Sequence, residues 1–127
     1  MFKAIPIYIK LYMNKVEIIR LDDRNSLTRK ATERFSNQRL LVADYSKFEH
    51  FMRSTLNELV PKTFIFQPSL KLLFQVMEDL EGGLSSVEKR VLMDSGEHAG
   101  GKVVKVYEGR YELSVDQAID ELNKKKN

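Results

Sequence analysis

The chain has 127 residues, 43% hydrophobic and 31% charged, close to the soluble-protein average and enough for one core, so a single domain over residues 1–127 is expected. No run approaches the roughly 20 apolar residues that a membrane-crossing helix needs, and the opening MFKAIPIYIK lacks a small-residue cleavage site, so a cytoplasmic chain without a membrane span is expected. The lack of cysteine excludes disulfides and thiolate chemistry, and His50 and His98 are too few for a histidine-rich metal centre. The net charge of +3 owes much to Lys124, Lys125 and Lys126, which read as a solvated tail. No basic face is interleaved with aromatics, so no nucleic-acid partner is expected.

Ala4 to Leu11 alternates, with Ile5, Ile7, Ile9 and Leu11 on one face and Pro6, Tyr8 and Lys10 on the other, the period of a strand. Met13 and Asn14 make a tight turn into a second strand, Lys15 to Leu21, where Val16 and Ile18 oppose Glu17 and Ile19. After the turn-rich 22–26 segment, Leu27 to Phe35 reads as an exposed third strand. A first helix is predicted from Ser46, capped by that hydroxyl with Glu49 reaching back. Phe48, Phe51, Met52, Thr55, Leu56 and Leu59 form its core stripe, and Pro61 stops it.

Leu70 to Met77 is a short apolar run suited to a strand buried on both faces. Ser85 and Glu88 form a second capping box ahead of a helix expected to bury Val87, Val91 and Leu92, with Ser95 and Ala99 allowing close approach and Gly100 and Gly101 supplying a left-handed stop. Lys102 to Tyr107 alternates as a fifth strand. Ser114 and Gln117 box the start of a third helix carrying Val115, Ala118, Ile119 and Leu122. The order βββαβαβα predicts an α/β fold, a mixed five-stranded sheet with helices on its faces.

Candidate chemistry is sparse. Asp44, Glu49 and His50 lie close in sequence, but Glu49 is committed to the predicted cap and one His beside one Asp is commonplace. Glu78, Asp79 and Glu81 precede Gly82 and Gly83 at the carboxyl end of the fourth strand, where open sheets place their ligands. A two-metal nuclease on a ribonuclease H-like fold would also need a carboxylate on the first strand, which has none.

The element order is shared by ribonuclease H-like folds and the first subdomain of actin-like ATPases, and particular residues resemble the MreB-type bacterial actins, the rod-shape-determining proteins. Val87, Glu88, Lys89 and Arg90 match that family's Val-Glu-Arg-Arg. Ala99, Gly100 and Gly101 approach its Ala-Gly-Ala, and Val42, Ala43, Asp44 and Tyr45 followed by Glu49 resemble its Ile-Ala-Asp-Phe with a following Glu. The resemblance covers Leu40 to Glu108, and implies an actin-like subdomain without the inserted small subdomain and second large domain, for which this length has no room. In the family the first hairpin carries Asp-x-Gly-Thr, where Asp serves the metal and its water and Gly lets backbone approach phosphate. Here Ile9, Leu11 and Tyr12 fall at the Asp, Gly and Thr positions. Glu88 matches a family glutamate implied in orienting the attacking water, and is explained here as the capping acid.

The resemblance with these departures implies a degenerate ATPase with no catalytic, cofactor-binding or metal residue. The expected function is protein association in cell-shape or cytoskeletal organisation. The expected partner is a second copy, as a homodimer, or a cytoskeletal protein, met through Phe64, Ile65 and Phe66 or the helix from Ser114 to Leu122. The alternatives are a retained nucleotide or phosphate binder with residual hydrolysis through Glu88, and a nucleic-acid-binding module on a ribonuclease H-like scaffold.

Overall fold

A computed structural model describes residues 4–36, 42–61, 63, 65, 68–79 and 83–124. The strands are β1 (Ile5–Tyr12), β2 (Lys15–Arg20), β3 (Ser26–Lys30), β4 (Leu70–Val76) and β5 (Gly101–Tyr107), and the helices are α1 (Tyr45–Leu59), α2 (Ser86–His98) and α3 (Val115–Asn123). They form one mixed sheet in the order β3-β2-β1-β4-β5. β1 pairs antiparallel with β2 and parallel with β4, and β4 pairs parallel with β5. The α/β class, the element order and the internal placement of β4 are therefore as the alternation predicts. Among the described residues no helix is long and apolar enough to cross a membrane.

The period-2 pattern of β1 sorts its side chains into two cores. Ile5, Ile7, Ile9 and Leu11 join Leu70, Leu72 and Phe74 beneath α1 and α2, which contribute Phe48, Met52, Leu56 and Leu92. Each such side chain contributes about 1.5–3 kcal/mol of burial. On the opposite face a smaller cluster gathers Tyr8, Leu21 and Leu73 under Ala118 and Leu122 of α3. The result is three layers, with two helices on one face and one on the other. At the sheet's helix-bearing end, Gly96 lets α2 lie against β5: a Cβ there would meet Val104 Cγ1 at 2.8 Å and Phe74 Cε2 at 3.1 Å.

Several local expectations are corrected. Asp44, not Ser46, caps α1; its carboxylate accepts from Lys47 N at 3.0 Å, so the helix begins earlier and Ser46 lies in its first turn. Glu49 is therefore not a capping acid. β3 stops at Lys30, and Phe35, expected in an exposed strand, is fully buried, stacking on Phe51 and edge-on to Phe48. The cause is Asn14, whose Oδ1 accepts from Phe35 N and Ser36 N at 2.9 Å and folds this segment back over the hairpin turn. Val87 is 71% exposed because it sits on the outer side of the first turn of α2, leaving Leu92 to fill the core. Gly100 alone is left-handed, at φ 105°, and Gly101 already belongs to β5. The boxes at Ser85–Glu88 and Ser114–Gln117 are both closed as predicted.

Candidate functional site

The carboxyl ends of the parallel strands β1, β4 and β5 meet on one side of the sheet, the place where open α/β sheets bind ligands. The β1–β2 turn lies there. A phosphate loop would leave its backbone N–H groups free to face an anion, whereas here both are taken by the protein. Met13 N donates to Glu78 Oε2 at 2.8 Å, and Asn14 N donates to Ser36 Oγ at 3.2 Å. Asn14 holds a positive φ of 54°, and its own carbonyl accepts from Ala31 N at 2.8 Å. Ile9 and Leu11 at the strand end are fully buried in the core. The turn is thus a structural knot joining β1, β4 and the 31–36 segment.

Beside it, a cleft of about 340 Å³ opens between the ends of β4 and β5. Its charged lining is Glu78, Asp79, Glu108 and Arg110. Glu108 pairs with Lys89 at 2.8 Å, and Asp79 approaches Arg110 at 4.0 Å. Of the acidic cluster expected at this strand end, Glu78 is spent on the turn and Asp79 faces solvent, while Glu81 and Gly82 lie outside the described residues.

Glu88 is buried and structural. Its Oε1 accepts from Ser85 N at 3.3 Å and Ser85 Oγ at 2.9 Å, and its Oε2 accepts from Val42 N at 3.2 Å, tying the start of α2 to the segment ahead of α1. Asp44, Glu49 and His50 do not converge on one another. Glu49 instead meets His98, with Nδ1 3.2 Å from Oε1, and Tyr45 Oη stands 3.3 Å from the same nitrogen. Burial and the Glu49 carboxylate raise the Tyr45 hydroxyl above its ordinary pKa. Among the described residues no group of three or more His, Asp or Glu side chains is arranged to hold a metal ion.

The α3 face carries a polar network that the sequence pattern conceals. Tyr8 Oη donates to Gln75 Oε1 and accepts from Leu113 N at 3.1 Å. Gln75 Nε2 donates to Gly109 O at 2.9 Å and Tyr111 O at 2.8 Å. Lys10 donates to Glu112 and pairs with Glu17 at 2.8 Å. Every polar atom of the Gln75 amide is therefore used in pinning the 108–114 segment across the sheet. The only sequence signal was the interruption of apolar strands by Tyr8, Lys10 and Gln75, residue types that need partners when buried. The expected association face is also changed. The apolar side of α3 lies on its own sheet through Ala118 and Leu122, and of the 64–66 stretch Ile65 is 94% exposed while Phe64 and Phe66 lie outside the described residues.

Over 90 residues the chain is 30% identical to the uncharacterized protein YjaA of Escherichia coli (strain K12), a match spanning 68% of this chain and 69% of that one. The chain belongs to the YjaA family. No protein-family profile matches it, and no solved structure does. The match extends over about two thirds of each of the two chains, so the similarity is not that of a short motif.

Proposed function

We propose that the chain is a non-catalytic protein that works by protein association, in cell-shape or cytoskeletal organisation, on a fold related to the first subdomain of the MreB-type actins. The observation that carries the non-catalytic part is the occupied β1–β2 turn. Its N–H groups face Glu78 and Ser36 of the same chain, and a phosphate approaching them would have to displace a carboxylate already in place. The adjoining cleft disfavours polyphosphate as well, since three carboxylates line it against one guanidinium. The relation to MreB-type actins is supported by the matching element order and by the residues named above, with Glu88 serving as a strut instead of a water-orienting base.

The test is thermal unfolding with ATP or ADP and Mg²⁺. Ligand binding to the native state raises the midpoint by mass action, so the proposal expects an unchanged midpoint at millimolar nucleotide. A second reading, a phosphate-bearing ligand in the β4–β5 cleft, has in its favour only Arg110 at the carboxyl ends of two parallel strands, set against the three carboxylates named above. A concentration-dependent rise in midpoint that Arg110→Ala removes would establish that reading in place of the first.

A further inference from the structure

The two helices that share one face of the sheet each bring a polar pair to the seam between them. Tyr45 and Glu49 are one turn apart on α1, and Asp94 and His98 are one turn apart on α2, so each pair projects from one side of its helix. The pairs meet, with His98 Nδ1 3.2 Å from Glu49 Oε1 and 3.3 Å from Tyr45 Oη. These distances lie at or beyond the long end of hydrogen bonding. Two ligand atoms held at about 2.0 Å by one tetrahedral zinc ion stand about 3.3 Å apart, so Glu49 and His98 are already spaced as ligands of a single metal. Glu49 is mostly buried, at 19% side-chain exposure, while His98 at 56% leaves an open approach. His98 also ends α2, where the helix macrodipole favours a cation. Ser95, bordering the Tyr45 hydroxyl, carries a buried oxygen that makes no hydrogen bond of good geometry, and such an atom calls for a water or an ion.

We infer that Glu49, Asp94 and His98 form a binding site for a divalent transition-metal ion of the zinc class, which clasps α1 to α2 and keeps a water in its fourth position. Asp94 is the ligand that must turn, and until it does no three such side chains converge. It leans on Arg90 of its own helix at 3.6 Å, as Glu49 leans on Arg53 at 3.8 Å. Both separations are too long for a hydrogen bond and both arginines are largely exposed, so these pairs hold their carboxylates weakly. One change of rotamer takes Asp94 from Arg90, a turn before it, to His98, a turn after it. Two carboxylates and an imidazole make the mixed oxygen and nitrogen set that zinc accepts, whereas magnesium and calcium take oxygen alone. The Tyr45 hydroxyl borders the Glu49 carboxylate and orients it as an outer partner. The other histidine, His50, lines a separate pocket beside Lys30 and Lys47 and takes no part. The site reaches beyond the association reading and leaves the β1–β2 turn and the β4–β5 cleft untouched.

The experiment is thermal unfolding of the purified chain, stripped with EDTA and then titrated with Zn²⁺ in the absence of nucleotide. Binding to the native state is expected to raise the midpoint to a plateau, and Mg²⁺ in place of Zn²⁺ is expected to leave it unchanged. His98→Ala and Glu49→Gln are each expected to abolish the rise. Tyr45→Phe, which removes only the outer partner, is expected to weaken zinc affinity about 10–100-fold. His50→Ala is expected to keep the rise in full. A wild-type midpoint unmoved by zinc would overturn the inference, and so would a rise that survives His98→Ala or is lost in His50→Ala, since either would put the metal elsewhere. Should His98→Ala fail to fold, Asp94→Asn decides in its place: it keeps the shape of a half-exposed side chain, removes the ligand charge, and is expected to lose the rise. The nucleotide test of the association reading contains Mg²⁺ and no zinc, so either reading fails without the other.

Discussion

Phe74 and Gln75 are neighbours on β4 and neither has any exposure to solvent, yet they face opposite layers and hold them by different physics. Phe74 lies among aliphatic and aromatic side chains under α1 and α2, where shape and apolar area decide stability. Gln75 lies under the 108–114 segment, where three hydrogen bonds decide it. The lesson of the pair is that burial alone does not identify a hydrophobic core. One face tolerates volume-conserving exchange, while the other depends on each donor finding its acceptor.

The largest effect is expected on the apolar side. Phe74→Ala removes a ring that closes the contact with Gly96 and should cost about 3–5 kcal/mol in denaturant unfolding, whereas Phe74→Leu should keep most of that loss from appearing. A small loss for Phe74→Ala would mean that the two-helix face collapses around a cavity far more readily than its packing implies.

Gln75→Ala should come next, at about 1–3 kcal/mol for the carbonyls of Gly109 and Tyr111 left without a donor. The discriminating readout is local. Amide exchange at Leu113, whose N–H is held by Tyr8, should accelerate strongly while the protection of α1 and α2 is retained. Equal acceleration on both faces would dissolve the distinction between the two layers.

A third, smaller test concerns the helix starts on the two-helix face. Ser85→Ala and Asp44→Ala should each cost about 1 kcal/mol, and Ser46→Ala should fall within about 0.5 kcal/mol because its hydroxyl does not cap the helix. Reversal of the Asp44 and Ser46 values would restore the later helix start that the Ser46–Glu49 spacing suggests.

What was legible in the sequence follows the same division. The two-helix face was readable because Ile5, Ile7, Ile9 and Leu11 alternate and because Phe48, Met52 and Leu56 recur at helical spacing; periodicity is a local signal and survives in one sequence. Two capping boxes were readable for the same reason. The α1 start was not, since Asp44 and Ser46 are both good caps and only the backbone conformation chooses between them. Phe35 was lost to an exposed strand because its burial depends on Asn14, 21 residues away. The bonds from Tyr8 and Gln75 to the 108–114 segment span still longer separations, and nothing in the spacing of one chain predicts them. At the candidate site, the replacement of a phosphate loop by Ile9, Leu11 and Tyr12 was readable, while the use of Glu78 to occupy the turn was not.

The smallest effect concerns pH and is tested on the α3 face. Burial pushes the Tyr8 hydroxyl up, opposed in part by the Leu113 N–H, and it stays above its ordinary 10.0. Burial pulls the Lys10 ammonium down, but Glu112 and Glu17 more than reverse this and hold it above 10.5. A group that binds its proton more tightly when folded stabilises the fold fully below its unfolded pKa, and that contribution is lost as pH rises through the folded value. Both groups therefore predict a contribution that is level through neutral pH and falls only above about pH 10. The measurement is the unfolding free energy in denaturant across this range for the wild type and for Lys10→Met. The variant is expected to be less stable at neutral pH, because Glu17 and Glu112 lose their cation, and to fall less steeply in the alkaline limb, so the two curves converge. Lysines and tyrosines elsewhere in the chain titrate in both proteins and cancel in the difference. Parallel curves would show that Lys10 holds its proton no more tightly in the fold than in the unfolded chain, and the α3 face would then owe its stability to the neutral bonds of Tyr8 and Gln75.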